Sequence, residues 1–344
     1  MSTSDLPQKQ HSDYGVGWVC ALPKEQTVAA AMLDQKHADL QKLANDKNTY
    51  TLGSIAGHNV VIACLPKDRD STVSAASVAT RMVHTFPAIK FILMVGIGRG
   101  VPPKVRLGDV VVSTPTGQFS GVVEWDIGRT TDGKFERTGA LNSPPTLLLT
   151  ALSKLETMND IQGSKVEYYL QEMGERHPRL RQKYLNMDLK DVLYKAAYSH
   201  INKRPEGVLA DGDEEGNEEE DESCRWCNPE QVVERRPPTR GMKVHYGLIA
   251  SGDHVIKDSK LRKQLNDDLG GQVLCIDTEA AGIMNDHPCI VVRGICDYAD
   301  SHNNKAWEGR AAAVAAAFAK ELLTYIQPSD IEKERPAKDI VNES

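Results

Sequence analysis

The chain has 344 residues, 40% of them hydrophobic, and a formal net charge of −7. This length suits one large or two small globular domains, and the acidic balance argues against a general nucleic-acid-binding protein. No apolar run approaches the ~20 residues of a membrane helix, and the polar start lacks the apolar core of a secretory signal, so we expect a cytoplasmic protein with no membrane partner.

Strand and helix patterns alternate over most of the chain. Strands are predicted at 15–22, in a hairpin over 49–65 that turns at 56–58, and at 90–98, 108–115, 243–256, 272–277 and 290–295, with helices at about 24–33, 73–86 and 307–326. This alternation predicts an α/β fold with a mixed, mostly parallel central sheet and helices on both faces.

The middle of the chain has a different composition. Residues 150–200 are amphipathic and helical, whereas 211–222 form an acidic block whose like charges repel one another, which predicts a disordered loop. We therefore expect one domain over 14–326, interrupted by an insertion at 150–242. Residues 1–13 and 327–344 are predicted to be flexible tails.

Five motifs follow one another in the predicted core. They are VGWVCALPKEQTVA, FILMVGIGRGVPPKVRLGDVVVS, VHYGLIASGDHVI, CIDTEAAGIM and VVRGICDYAD. In this order they resemble the purine nucleoside phosphorylase and nucleosidase superfamily, over residues 14–150 and 240–326. The ending DYADSHNNKAWEGRAAAVAAAFAKELL is most similar to fungal members, which often form the first domain of NLR-type immune receptors. The resemblance implies cleavage of the bond between ribose C1′ and a purine nitrogen.

Asp297 follows a β-branched run that predicts a central strand. The carboxyl ends of such strands face the ligand crevice, although a carboxylate there could instead cap the next helix or hold a loop. The resemblance implies that Asp297 donates a proton to purine N7. This role needs a desolvated carboxyl whose pKa is raised above its usual value near 3.9.

Two glutamates complete the carboxylate set that the resemblance implies. Glu279, beside Thr278, matches the residue that binds the ribose 2′- and 3′-hydroxyls, and the alternative is an acid in the first turn of a helix. Glu25 matches the residue that activates water in hydrolytic members, and the alternative is an exposed helix glutamate.

The glycine-rich turn after the strand at 90–98 bears on the reaction type. Phosphorylases usually place a phosphate-binding arginine and serine where this chain has Met94 and Ile97. Water is therefore the expected nucleophile, with Gly96 and Ile97 approaching the substrate through their backbone.

Basic residues lie at strand ends or in the loops after them. They are Arg99, Lys67, Arg69 and Arg129. Their convergence in the crevice would fit a nucleotide polyphosphate, and solvated surface charge is the alternative for each. Some immune members of the superfamily release adenine from ATP, and this subgroup fits the basic set better than a nucleoside enzyme does.

Base recognition has weaker signals. The resemblance places Val255 and Ile256 beside the purine ring. Tyr298 or Trp125 could stack on it, and each is equally typical of a core residue.

Cysteines give little support for a disulfide scaffold, because several of the seven lie in apolar strand-like runs. The exception is the pair Cys224 and Cys227, a single CxxC in the predicted insertion. Zinc normally needs four ligands, so histidines such as His200 or a second subunit would have to complete a site, and a redox role is the other alternative.

These inferences predict a purine nucleotide N-ribosidase without a cofactor, which converts ATP to adenine and ribose 5′-triphosphate and forms a homo-oligomer. The alternatives are a nucleoside phosphorylase, a nucleosidase for adenosine derivatives, and an inactive ligand-sensing module.

Overall fold

The structure, a computed structural model, describes residues 6–69, 71–202, 224–236, 241–302 and 305–343. The acidic block at 211–222 lies outside the described residues, so the predicted disorder there stays a prediction. No helix among the described residues has the length and apolar character to cross a membrane.

Twelve strands and ten α-helices make up this part of the chain. The strands are β1 (Val16–Cys20), β2 (Gln35–Lys36), β3 (Tyr50–Ile55), β4 (His58–Cys64), β5 (Phe91–Gly100), β6 (Val110–Ser113), β7 (Val122–Glu124), β8 (Gly128–Thr131), β9 (Lys134–Arg137), β10 (Val244–Ser251), β11 (Val273–Asp277) and β12 (Cys289–Asp297). The helices are α1 (Pro23–Ala31), α2 (Thr72–Thr85), α3 (Thr146–Gln162), α4 (Val166–Arg176), α5 (Arg181–Tyr184), α6 (Ser259–Asp268), α7 (Ala281–Met284), α8 (Ala306–Leu323), α9 (Pro328–Lys333) and α10 (Ala337–Val341).

Ten strands form one mixed sheet, in the order β11-β10-β6-β12-β5-β1-β4-β3-β2 with β7 beside β10. The central ladders β4-β1-β5-β12 are parallel, whereas β6 runs antiparallel to β12. The sheet also pairs β11 with β5, so it curls round and partly closes on itself. The α/β class and the mixed sheet are confirmed, and the partial closure is a feature that strand alternation did not predict.

Both faces of the central strands are buried, because successive side chains point to opposite sides. Trp18 and Leu93 pack on the side that carries α1, α3, α4 and α8, whereas Val19 and Ile92 pack on the side of α2, α7 and α10. This double burial explains the nearly continuous apolar runs in β1, β5 and β12. The polar residues at the ends of these strands therefore lie beside a dry core.

The carboxyl-terminal segment, predicted to be a flexible tail after residue 326, forms α9 and α10. Ile331 and Ala337 are buried, and the backbone N–H of Ala337 donates to the carbonyl oxygen of Ile89 over 2.7 Å.

Helix α8 is buried along nearly its whole length and packs closely on β12.

Gly294 provides a test of this contact between β12 and α8. A Cβ added at Gly294 would lie only 1.9 Å from the carbonyl oxygen of Ala311. We expect Gly294→Ala to lower the free energy of unfolding by about 1–3 kcal/mol or more, because backbone must move to relieve the clash. Chemical denaturation of Gly294→Ala and Gly241→Ala measures this, since a Cβ at Gly241 meets no described atom within 4 Å. Equal stability of the two variants would contradict the packing described.

Candidate active site

The carboxyl ends of β1, β5, β11 and β12 bring the predicted functional residues together. Glu25 begins α1 just after β1, Arg99 lies near the end of β5, Glu279 follows β11, and Asp297 ends β12. Since β5 lies between β1 and β12 and also pairs with β11, these ends are neighbours in the sheet. The strand ends therefore form one polar cluster at the edge where α/β folds bind ligands.

Glu25 is buried rather than an exposed helix residue, with a relative exposure of 2%. Its Oε2 accepts hydrogen bonds from the backbone N–H groups of Ala21 (2.7 Å) and Leu22 (2.9 Å), and its Oε1 accepts one from Ile97 (2.8 Å). The carboxylate thus caps the start of α1 and also ties it to the glycine-rich end of β5.

Arg293 is the centre of the cluster, and its side chain is completely buried. Its Nε donates to Asp277 Oδ2 over 2.8 Å and its Nη2 donates to Glu279 Oε2 over 2.9 Å. Within the described residues, its Nη1 has no hydrogen-bond partner. One cation therefore serves several buried carboxylates and still has a donor to offer to a ligand or water.

Gly96 lets Glu25 approach Arg293. A Cβ at Gly96 would lie 2.4 Å from Glu25 Oε1 and 2.5 Å from Arg293 Nη1, so both polar atoms face this glycine. Any larger residue would separate them. The sequence predicts that Gly96 allows the backbone to approach the substrate, and in the structure this glycine leaves room for Glu25 and Arg293 to approach each other.

Glu279 precedes the short helix α7 and points its carboxylate into the cluster. Its Oε2 is held by Arg293, and its Oε1 accepts a hydrogen bond of 2.5 Å from the hydroxyl of Thr278. Burial raises the pKa of Glu279 to about 7, and the charge of Arg293 opposes this rise. Burial also raises the pKa of Glu25, again against the effect of Arg293.

Asp297 lies at a β-bulge, because the pairing of β12 with β5 skips Cys296 between Ile295 and Asp297. Its Oδ1 accepts from the backbone N–H of Ala299 over 2.8 Å, and the Nε–H of Arg99 donates to its Oδ2 over 3.3 Å. Burial raises the pKa of Asp297, and Arg99 lowers it in part.

The structure distinguishes the two structural alternatives for Asp297, which are a cap of the next helix and a contact that holds a loop. The next helix, α8, begins at Ala306 with Lys305 as its N-cap, so Asp297 does not cap it. Its bond to Ala299 does hold the local turn, in which Ala299 has a positive φ of 51°. The other carboxylate oxygen, Oδ2, accepts the hydrogen bond from Arg99 and makes a weaker contact with the Cys296 thiol.

The other predicted basic residues do not join the cluster. Lys67 and Arg69 are exposed in the turn between β4 and α2, and Arg129 is exposed in the β8-β9 hairpin. None of the three forms an ion pair with a described acidic residue. Of the four basic residues predicted from the sequence, Arg99 is the one that contacts a candidate catalytic group among the described residues, namely Asp297.

The residues expected near the base have different environments. Val255 is 55% exposed in the loop after β10, whereas Ile256 is buried in a small apolar cluster. Tyr298 is buried, its hydroxyl donates to Asp191 over 2.5 Å, and its ring is therefore committed to the core rather than to stacking. Trp125 lies beside the ring of His254, with a centroid distance of 6.2 Å.

Sequence reasoning missed Arg293 and Asp277. The signal was present, because a single arginine interrupts the apolar strand CIVVRGICD, and a buried arginine requires buried acidic partners. Asp277 sits two residues before Glu279 and supplies one of them.

Comparison with known proteins gives a relative in sequence. The chain is 42% identical over 335 residues to a nucleotide-binding leucine-rich repeat (NLR)-like protein of Hyaloscypha variabilis, covering 96% of this chain but 31% of that protein. No family model matches the chain. The chain therefore spans about a third of the length of the Hyaloscypha relative.

Solved structures of nucleosidases share the architecture. The 5′-methylthioadenosine/S-adenosylhomocysteine nucleosidase of Neisseria meningitidis, in complex with methylthio-immucillin-A, aligns with a TM-score of 0.54 at 15% identity, over 90% of this chain and 98% of that one. Futalosine hydrolase of Helicobacter pylori gives 0.54 at 14% identity, over 91% and 99%. The nucleosidase of Colwellia psychrerythraea, in complex with adenine, gives 0.55 at 15%, over 92% and 98%. The resemblance predicted from the five motifs is thus confirmed in the fold.

The buried network makes a prediction about stability. Arg293→Met leaves Glu279 and Glu25 without their cation, and removing one partner of a buried ion pair typically costs about 3–5 kcal/mol. Because Arg293 holds both pKa values down, the variant's carboxyls stay protonated to higher pH in the folded state. We therefore expect a larger loss of stability at pH 8 than at pH 5.

Denaturant unfolding at both pH values measures this difference, with the exposed Arg129→Met as the control. An Arg293→Met penalty that is independent of pH would argue against the network.

Proposed function

We propose that this protein is a purine nucleotide N-ribosidase that hydrolyses ATP to adenine and ribose 5′-triphosphate. The observation that carries the proposal is the joint burial of Asp297, Glu279 and Glu25 around one glycine-rich strand end. Breaking the bond between ribose and base creates positive charge on the sugar and negative charge on the base. A site for this reaction needs an acid for the base and fixed negative charge for the sugar, and these carboxyls can supply both.

Asp297 is the acid in this proposal. Its raised pKa favours the protonated form that can donate to purine N7, and burial is the physical cause of the rise. The bulge at Cys296 turns the carboxyl out of the ladder of β12, and the bond to Ala299 fixes its orientation.

Glu279 is proposed to bind the ribose hydroxyls. A carboxylate can accept two hydroxyl hydrogen bonds, and its charge also stabilises the cationic sugar. The bond from Arg293 to Oε2 keeps the group oriented, and the Thr278 hydroxyl holds Oε1 until substrate replaces it.

Water is the proposed nucleophile, positioned by Glu25 and Arg293. Glu25 Oε1 can accept a proton, Arg293 Nη1 has an unused donor, and both face Gly96. The phosphorylase alternative has less support, because Met94 is fully buried in the core and Ile97 packs against apolar residues. Neither side chain can hold phosphate.

Arg99 supports a phosphorylated substrate. Its guanidinium contacts Asp297, and the triphosphate of a substrate would compete for the same group. Loss of that contact would raise the pKa of Asp297 further, so substrate binding would itself favour the acid form. Lys67, Arg69 and Arg129 are exposed outside the cluster, so Arg99 is the cation that supports this part of the proposal.

The structurally similar enzymes favour one alternative substrate class. Their names describe enzymes for methylthioadenosine, S-adenosylhomocysteine and futalosine, so a nucleosidase for an adenosine derivative is the second candidate. The intact carboxylate set argues against an inactive sensing module. The NLR-like relative supports a role in immune signalling, and a cytoplasmic location and self-association belong to the same proposal.

The acid assignment gives a direct test of this function. Purified protein incubated with ATP should release adenine without added phosphate and leave a free reducing sugar. Asp297→Asn keeps the shape but cannot donate the proton, so turnover should fall by ~10²–10⁴ while the fold is retained. Chromatographic measurement of free base, with the exposed Asp132→Asn as control, checks both. Strict phosphate dependence, or a folded Asp297→Asn with near-normal turnover, would refute the assignment.

Arg99 gives the test of substrate class. Losing one charge-assisted bond of about 1.5–3 kcal/mol should reduce kcat/KM for ATP more than ten-fold in Arg99→Ala, measured at fixed salt. Adenosine has no phosphates, so its kcat/KM should change little. Because Arg99 lowers the pKa of Asp297, the alkaline limb for adenosine should move to higher pH in this variant. Equal losses on both substrates would assign Arg99 to shaping the strand end, and a wild-type preference for adenosine would favour the second candidate.

A further inference from the structure

A cluster of sulfur and nitrogen atoms lies away from the carboxylates, where the predicted insertion meets the loop after β12. We propose that this cluster is a structural zinc site. Its four ligands are Cys224, Cys227, His200 and His302. Two thiolates and two imidazoles are a donor set that zinc prefers in closed, tetrahedral sites.

The mutual separations of three donor atoms, and the contact of the fourth, Cys224 Sγ, with one of them, fit one shared ion. Cys227 Sγ lies 3.2 Å and Cys224 Sγ 3.5 Å from Nδ1 of His200. Ligand atoms of Cys227, His200 and His302 all lie within 4.8 Å of one another. Usual zinc–sulfur and zinc–nitrogen bond lengths in a tetrahedron place a sulfur and a nitrogen about 3.6 Å apart.

Hydrogen bonding alone accounts poorly for this arrangement. Nδ1 of an imidazole carries one proton or one lone pair, so it cannot make good hydrogen bonds to two thiols at once. The CxxC turn itself is closed by the Cys227 N–H donating to the Cys224 carbonyl oxygen over 3.1 Å. Convergence of two sulfurs on one nitrogen is the geometry expected around a cation.

His302 supplies an independent observation. Its side chain is only 6% exposed, and its Nε2 is buried with no hydrogen-bond partner among the described residues. Its Nδ1 lies 3.6 Å from Asp300 Oδ1, the kind of carboxylate contact that orients a metal-binding imidazole. Tyr194 stacks on the ring with a centroid distance of 4.1 Å, which fixes its plane.

The position of the site gives it a structural role. His200 and the CxxC belong to the predicted insertion, whereas His302 follows Asp297 by five residues in the loop that leaves the active site. The N–H of His200 also donates to the Ser301 hydroxyl over 3.0 Å. Zinc would therefore fasten the insertion to the segment that carries the proposed acid, without contacting the substrate.

Metal content of the purified full chain tests the site directly. Protein prepared with zinc and dialysed against a weak chelator should retain about one zinc per chain by mass spectrometry. Cys227→Ser and His302→Ala should each reduce retained zinc at least ten-fold. The half-buried Cys64→Ser and the exposed His177→Ala, which lie outside the cluster, should keep it.

A second measurement covers ligand variants that fold poorly. Wild-type protein reconstituted with cobalt(II) should show the visible bands of tetrahedral cobalt and a thiolate charge-transfer band, and stripping the metal should lower its melting temperature. Wild-type protein that folds without metal and melts unchanged when zinc is added would overturn the proposal. So would an octahedral cobalt spectrum, a disulfide between Cys224 and Cys227, or zinc retained equally by ligand and control variants. None of these readouts depends on nucleosidase activity.

Discussion

The buried guanidinium of Arg293 is the interaction on which the active-site cluster depends. A carboxylate taken out of water is costly unless a cation or several donors compensate it, and Glu25, Asp277 and Glu279 all lie at a dry sheet edge. Arg293 bonds to two of these carboxylates and faces the third across Gly96. Without this cation, burial would favour the neutral form of these acids, and a neutral Glu279 would lack the charge that its proposed role at the sugar requires.

The strand arrangement explains why the cluster can exist. β5 pairs with β1, β12 and β11, so residues far apart in sequence meet at the carboxyl end of one strand. Gly96 and Gly98 have no side chains, so Glu25, Arg293 and Cys275 can lie close against this part of β5. The glycine-rich motif is thus a packing requirement for the carboxylates.

Sequence alone predicted most of the fold and the three candidate catalytic carboxyls. Double burial leaves long apolar runs that are easy to recognise, and the Ala56-Gly57 turn of the first hairpin has the positive φ values its position requires. The partial closure through β11 and β5 was not predicted, because pairing between distant strands leaves no local pattern. The roles of Arg293 and Asp277 were missed for a related reason. Each residue is unremarkable until its partner, 16 positions away, is placed beside it.

The segment after Asp297 contacts residues that are distant in the sequence. Tyr298 accepts a hydrogen bond from Arg235 over 2.8 Å and donates to Asp191, while Asp300 pairs with Arg262. Successive residues beyond the acid are therefore held by different elements, two of them in the predicted insertion. In the proposed reaction a buried carboxyl donates its proton usefully only when its direction is fixed, so these anchors add to the effect of the burial that raises the pKa of Asp297. Under the proposed function, the segment between β9 and β10 supports the acid, because its residues Asp191 and Arg235 both hold the hydroxyl of Tyr298, which directly follows Asp297.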